Sequence, residues 1–191
     1  DCGVCGGDGT SCLASLSLGA FDASGSLEVL YNFGGPVAGF QFDVTGLTLT
    51  SASGGAAGSA GLTVSTGGAT VLGFSFDNSE ITAGEGVLTV LAFSGVTAGT
   101  TELSLGNFGA VTDAQGNVYT TSASGSINHG DPDCAGTYYG DSALDDCGVC
   151  DGGNADQDCA GVCFGDAENC PDWSVNLGDY LYDASVTSAV Y

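Results

Sequence analysis

The chain has 191 residues, 23 of them Asp or Glu, with no Lys or Arg, one histidine, nine cysteines and a formal net charge of −23 at pH 7. An average chain of this length carries roughly 20 basic residues; without them nothing replaces the counter-ions of a phosphate backbone, so nucleic acid and anionic lipid are excluded as partners. The longest apolar runs are too short for membrane insertion, and acids with no internal ion pair to offset their repulsion call for dissolved salt or bound divalent cations.

Residues 1–12, DCGVCGGDGTSC, begin without Met, a basic n-region or an apolar h-region, so any signal peptide is expected outside this segment. This partial cysteine-rich repeat returns as residues 146–159, DCGVCDGGNADQDC, and no cysteine lies between Cys12 and Cys134. A repeated cysteine module thus brackets a cysteine-free domain. Cysteines clustered among Asp, Gly and Asn read as disulfides made in an oxidising compartment, which predicts a secreted, extracellular or bacterial cell-surface protein.

Residues 13–129 are short alternating or apolar runs separated by Gly, Ser, Asn and Asp. Leu27, Val29, Tyr31 and Phe33 alternate with Ser26, Glu28, Leu30 and Asn32, and Phe40, Phe42 and Val44 with Gln41 and Asp43; period two places each set on one face of a sheet. Similar runs follow at residues 47–50, 62–65, 70–76, 87–93, 102–108 and 118–121, with no apolar stripe of helical period. About nine strands at close spacing predict an all-β sandwich. Phe40, Phe42, Phe74, Phe76 and Phe93 are expected where the two sheets meet, because alternating aromatics in strands are core more often than an outward sugar-gripping stripe. Residues 113–117, DAQGN, read as a hairpin turn, since Gly and Asn tolerate positive φ. Residues 53–61 read as a loop or a single helical turn.

The order LEVLYNFGGPVAGFQFDVTG, GLTVSTGGATVLGFSFDNSEITAGEGVLTVLAFSG, then a turn and NVYTTSASGSI resembles cohesin-like modules over residues 16–127. The resemblance implies a jelly-roll sandwich from a bacterial extracellular protein. It also implies a docking role, for which it transfers no binding position to this chain.

Residues 130–171 form a small disulfide-rich, mostly irregular module in which Asp133-Cys134-Ala135-Gly136 recurs as Asp158-Cys159-Ala160-Gly161. It resembles the D-C-x-G and C-G-V-C-G-G-D-G repeats found between domains of large secreted bacterial surface proteins. So few large apolar side chains cannot offset chain entropy by burial, and disulfides are expected to supply the fold, each loop contributing about 2–3 kcal/mol. Aligning the copies superposes Cys2 on Cys147, Cys5 on Cys150 and Cys12 on Cys159. The pairing this suggests is Cys5–Cys12, Cys134–Cys147, Cys150–Cys159 and Cys163–Cys170, with Cys2 joined to an external partner and other connectivities left open. Cys147, Cys150, Cys159 and Cys163 have zinc-like spacing, but an oxidising compartment favours disulfides. Asp151, Asn154, Asp156 and Asp158 offer oxygen ligands at a spacing suited to calcium, the one cofactor expected; no Glu closes the loop as in an EF-hand, and the competing reading is a solvated acidic loop.

Residues 172–191 read as the start of a further β domain or as a strand donated to the next subunit, with Trp173, Tyr180, Tyr182, Val186 and Tyr191 as assembly residues. Catalysis fails at the inventory, because one His and a few acids such as Asp43, Asp77, Glu80 and Glu85 in turns make no acid–base machinery. His129, beside Gly130-Asp131-Pro132, reads as a linker residue. No N-x-Ser/Thr sequon is present, while Thr97, Thr100, Thr120 and Thr121 leave O-linked glycans as a means of shielding sheet edges. The expectation is a non-enzymatic structural subunit of an extracellular filament or modular cell-surface protein, assembling head to tail with neighbouring copies of itself. The alternative is a binding module of a secreted complex, by cohesin-like docking or carbohydrate binding.

Overall fold

The computed structural model describes residues 12–166. In chain order the elements are β1 (Leu13–Asp22), β2 (Ser26–Phe33), β3 (Gly39–Thr45), β4 (Leu47–Ser53), α1 (Gly55–Ser59), β5 (Thr63–Gly67), β6 (Thr70–Phe74), β7 (Gly84–Val96), β8 (Thr100–Ser104), β9 (Ala110–Thr112), β10 (Thr120–Ser124) and β11 (Ser126–Asn128). They form two sheets, one ordered β10-β1-β2-β7-β4 and the other β11-β8-β3-β6-β5, with the short β9 also paired to β3. The all-β sandwich is borne out. Among the described residues the strand pairings are antiparallel except β1 with β10, where Leu13 stands beside Thr120 and Ser17 beside Ser124.

Period-two alternation turns one face of each sheet inward. In β3, Phe40, Phe42 and Val44 are buried and Gln41 and Asp43 are not; in β2, Leu27, Val29 and Phe33 are buried. Leu16, Leu88, Leu91, Val71 and Val111 complete the layer between the sheets. Each such side chain, fully buried, contributes about 1.5–3 kcal/mol relative to exposure. Phe93 joins this core, but the expectation fails for Phe74 and Phe76: Phe74 is half-buried and Phe76 is 84% exposed. The cause is the register of β6. Val71 and Gly73 point inward, so Leu72 and Phe74 point outward, and a Cβ on Gly73 would overlap the Phe40 ring.

The sandwich is closed along both sides by short connections. On one side, residues 53–61 take the helical-turn alternative as α1, whose Ala57 is fully buried. On the other, β10 leaves the first sheet and β11 enters the second through Gly125, which has φ 144° and whose Cβ would stand 2.9 Å from Leu18 Cγ. Residues 113–117 form the expected turn: Asp113 Oδ1 accepts the N–H groups of Gln115 and Asn117, and Gly116 has φ 82°.

The chain divides into compact units at residues 1–141 and 142–191. Residues 130–141 therefore group with the sandwich, twelve positions beyond the boundary read from the sequence. No helix among the described residues is long and apolar enough to cross a membrane.

Candidate functional site

The outer face of the second sheet is built in rows. One row runs Gly67, Thr70, Asp43, Ser104; the next Ser65, Leu72, Gln41, Ala110; the third Thr63, Phe74, Gly39, Thr112, with Val118 bridged to Thr112. Leu72 is 40% exposed, Val118 65% and Phe76 84%. Leu72, Phe74 and Phe76 follow one another at alternate positions, so they make a continuous apolar strip, with the Phe74 and Phe76 rings in edge contact at 4.8 Å. A Cβ on Gly39 would stand 2.8 Å from Thr112 Oγ1, so the threonine hydroxyl fills the place beside Phe74 that a side chain there would take.

Two acids hold this face in shape. Asp43 accepts a 2.7 Å hydrogen bond from Thr70 Oγ1 and fills the space above Gly106, where a Cβ would overlap its Oδ2. Asp77 accepts from Ser75 Oγ at 2.9 Å and from the Ser79 N–H at 3.1 Å, which staples the bend that carries Phe76. Hydrogen bonding from Ser79, reinforced by Ser75, holds the Asp77 carboxyl below the usual range. The face is thus apolar along one strip, hydroxylic around it, and negative. A stripe of outward aromatics was the reading set aside at the sequence level; the interior glycine at position 73 is the signal that would have reversed it.

The cysteine module is built from a turn that the sequence reading saw only in part. Residues 133–140, 145–152 and 158–165 share one hydrogen-bond pattern. The leading Asp N–H donates to the carbonyl four residues on, and the Gly at the fourth position donates back to the Asp carbonyl. The leading carboxylate accepts the backbone N–H groups two and four residues later: Ala135 and Thr137 for Asp133, Cys147 and Val149 for Asp145, Ala160 and Val162 for Asp158. A glycine closes each turn because a Cβ on Gly140, Gly152 or Gly165 would overlap that carboxylate. The middle copy starts at Asp145, not Asp146, and its first cysteine, Cys147, stands two residues after the Asp where Cys134 and Cys159 stand one after, which hides the repeat in the cysteine spacing.

That shift corrects the disulfide pairing. Cys147 is joined to Cys163, with Cα atoms 5.2 Å apart, which replaces the expected Cys134–Cys147 and Cys163–Cys170 bridges. Pairing by order along the chain ignored how successive turns meet. Asn154 and Gln157 both donate to the Asp146 carboxylate, and Cys163 Sγ lies 3.5 Å from the Asp146 carbonyl, beside Cys147. Cys12, Cys134, Cys150 and Cys159 are also disulfide-bonded. Cys2, Cys5 and Cys170 lie outside the described residues, as do Trp173, Tyr180, Tyr182, Val186 and Tyr191.

Three of the four residues predicted to hold calcium act here as structural acceptors or donors. Asp158 closes its own turn, Asp151 Oδ1 accepts the Ala143 N–H at 3.1 Å, and Asn154 exchanges hydrogen bonds with Asp146. Asp156 is exposed, and among the described residues the carboxylates of Asp151, Asp156 and Asp158 do not gather within 4.8 Å of one another. His129 is not a simple linker residue: it is 7% exposed, between Thr101 and Tyr139.

No family model matches the chain, and no curated protein does. Solved structures similar to it include three cohesins. A non-cellulosomal cohesin from Archaeoglobus fulgidus is 15% identical with a TM-score of 0.44, over 60% of this chain and 89% of that one. The sixth cohesin of Acetivibrio cellulolyticus scaffoldin B, in complex with a Cel5 dockerin, is 16% identical with a TM-score of 0.45, over 60% and 96%. The Clostridium thermocellum Coh-OlpA–Doc918 cohesin–dockerin complex gives 17% and 0.43, over 61% and 98%.

Proposed function

We propose that this chain is a non-catalytic module of an extracellular protein, in which the β-sandwich docks a protein partner on the outer face of its second sheet and the stapled turns act as a compact connector. The observation that carries this reading is the exposed strip of Leu72, Phe74 and Phe76, fixed in place by register and by Asp77. Contiguous outward apolar surface rimmed by polar groups is the signature of an interaction site. The resemblance of residues 16–127 to cohesin-like modules supports docking as the use of such a face. Catalysis finds no support: the single imidazole is buried with both ring nitrogens occupied.

Charge selects the partner. A surface bearing Lys or Arg complements a chain that has none, whereas a second copy brings another −23 charges. Head-to-tail assembly of copies is the second reading, favoured by the recurrence of one turn at residues 133, 145 and 158, and it requires calcium or another divalent cation to screen the acids. O-linked sugars fit the same extracellular setting, on the exposed hydroxyls of the uncharged edge strands β4 and β10 of the first sheet, such as Thr50 and Ser122.

The test is capture from the native secreted fraction by the chain and by a Leu72→Ser/Phe76→Ser variant. A Lys- or Arg-rich partner retained by the first and lost with the second supports docking. Identical capture by both removes it. Sedimentation of the chain alone, with and without calcium, decides the second reading: cation-dependent polymers support it, and monomers throughout remove it.

A further inference from the structure

We propose that His129 is an acid-sensitive latch: its neutral ring fastens the turn at residues 133–140 to the sandwich, and protonation releases it. The ring sits just after β11, whose continuation is tied to the preceding strand connection by the His129 N–H donating to the Gly99 carbonyl at 2.9 Å. Its Nε2 lies 2.8 Å from Oγ1 of the fully buried Thr101 in β8, and its Nδ1 lies 2.7 Å from the Tyr139 hydroxyl in the turn. Phe21 of β1 covers one side at 4.9 Å between ring centroids, and Tyr138 and Tyr139 approach at 6.3 and 5.6 Å. One side chain thus bridges the sandwich and the turn.

Among the described residues, the side chains in ring or hydrogen-bond contact with the imidazole are those of Phe21, Thr101, Tyr138 and Tyr139, none of them a carboxylate. The titratable groups among these contacts are the phenols of Tyr138 and Tyr139. The nearest carboxylates along the packed elements are engaged or turned away: Asp22, next to Phe21, accepts the Ser24 N–H, Glu102, next to Thr101, is exposed on the opposite side of β8, and Asp131 is exposed. A neutral imidazole satisfies both hydroxyls, donating to one and accepting from the other. An imidazolium must donate to both while deprived of water and of any anion, so burial pushes the ring's pKa down. A hollow of about 200 Å³ lined in part by Phe93, Tyr138 and Tyr139 lies beside the turn.

The linkage has a definite sign. A ring exposed by opening titrates near its ordinary value of about 6.5. The closed ring titrates lower, so the latch is fully engaged above that value and is lost as pH falls through the closed-state midpoint. Between the two midpoints the opening constant rises by at most tenfold for each pH unit lost.

The test uses the full oxidised chain, in which the lone histidine gives a single imidazole NMR signal. Expected are a midpoint below 6.5 and amide exchange at residues 133–140 that accelerates up to tenfold per unit of acidification beyond the intrinsic change, while Phe40 and Phe42 stay protected. His129→Phe should flatten that pH response. Tyr139→Phe should leave the sandwich intact but raise exchange in the turn at pH 7, which keeps the test decisive if the His129 variant misfolds. A wild-type midpoint at or above 6.5, meaning that the aromatic faces and the acidic surface stabilise the imidazolium, overturns the latch. So does an unchanged pH response in a folded His129→Phe.

Discussion

Phe40 lies over Gly73, its ring filling the space that a Cβ at that position would need. This contact links the core to the surface. With position 73 facing inward, Leu72 and Phe74 must face outward, and the apolar strip follows from the packing beneath it. Gly73→Ala is expected to destabilise the sandwich by about 1–3 kcal/mol through overpacking, read as a lower urea midpoint with an unchanged slope.

Phe42 and Phe76 should respond in opposite ways to the same truncation. Phe42 is fully buried, so Phe42→Ala is expected to cost about 3–5 kcal/mol of stability. Phe76→Ala, at an exposed position, should change stability by less than about 0.5 kcal/mol while weakening partner capture. Paired chemical denaturation and pull-down measurements check both halves. A large stability loss at Phe76 would place that ring in a core the structure does not give it.

Asp145 holds three backbone N–H groups, those of Cys147, Val149 and Asn154. Asp145→Ala should loosen the turn carrying Cys147 and so accelerate reduction of Cys147–Cys163 by dithiothreitol, several-fold at pH 8. The native bridge closes a loop spanning 16 residues, of a size worth about 3 kcal/mol in the chain-entropy model. Mass spectrometry of alkylated intermediates reads the rate at that bridge separately from the others.

Acid should act locally at the Asp-led turns. Hydrogen bonds hold four carboxyls below the usual range: Ser24 at Asp22, Ser79 at Asp77, Asn117 at Asp113, and the Val149 backbone at Asp145. A depressed carboxyl stabilises the fold fully above its unfolded value of about 3.9 and loses that contribution as pH falls through the folded value. Acid also lowers the chain's net charge and with it the self-repulsion, so the expected signal is faster amide exchange at Gln115, Asn117 and Val149 below pH 4, not a uniform fall in melting temperature.

Calcium should stabilise this chain as a screening ion. Oδ1 of Asp151, Asn154 and Asp158 already accepts backbone N–H groups within the turns, so calcium and magnesium at equal concentration are expected to raise the melting temperature to a similar degree, and both more than sodium at the same ionic strength. A calcium-specific rise abolished by Asp156→Asn would instead establish a site.

The two-sheet fold was legible in the sequence because alternation reports directly which strand residues face the core. Leu27, Val29, Phe33, Phe40 and Phe42 are buried as their spacing requires. Period two also misled between Val71 and Phe76, where Leu72, Phe74 and Phe76 alternate with Val71, Gly73 and Ser75: the more apolar set faces outward, because the Phe40–Gly73 contact turns position 73 inward. Short β9 and β11 carry too few residues for any pattern, and they exist because β3 and β8 present edges to pair with.

Composition alone determined the acidic, disulfide-bonded, cation-poor character of the protein, because charge and cysteine content do not depend on how the chain folds. The inward set of each long strand was likewise determined by local alternation. What the tertiary structure decided was every relationship between residues distant in sequence: Phe76 outside, Cys147 with Cys163, and His129 between Thr101 and Tyr139. Those depend on strand register and on how one turn meets the next, and a single-residue slip in either reverses which side chains meet.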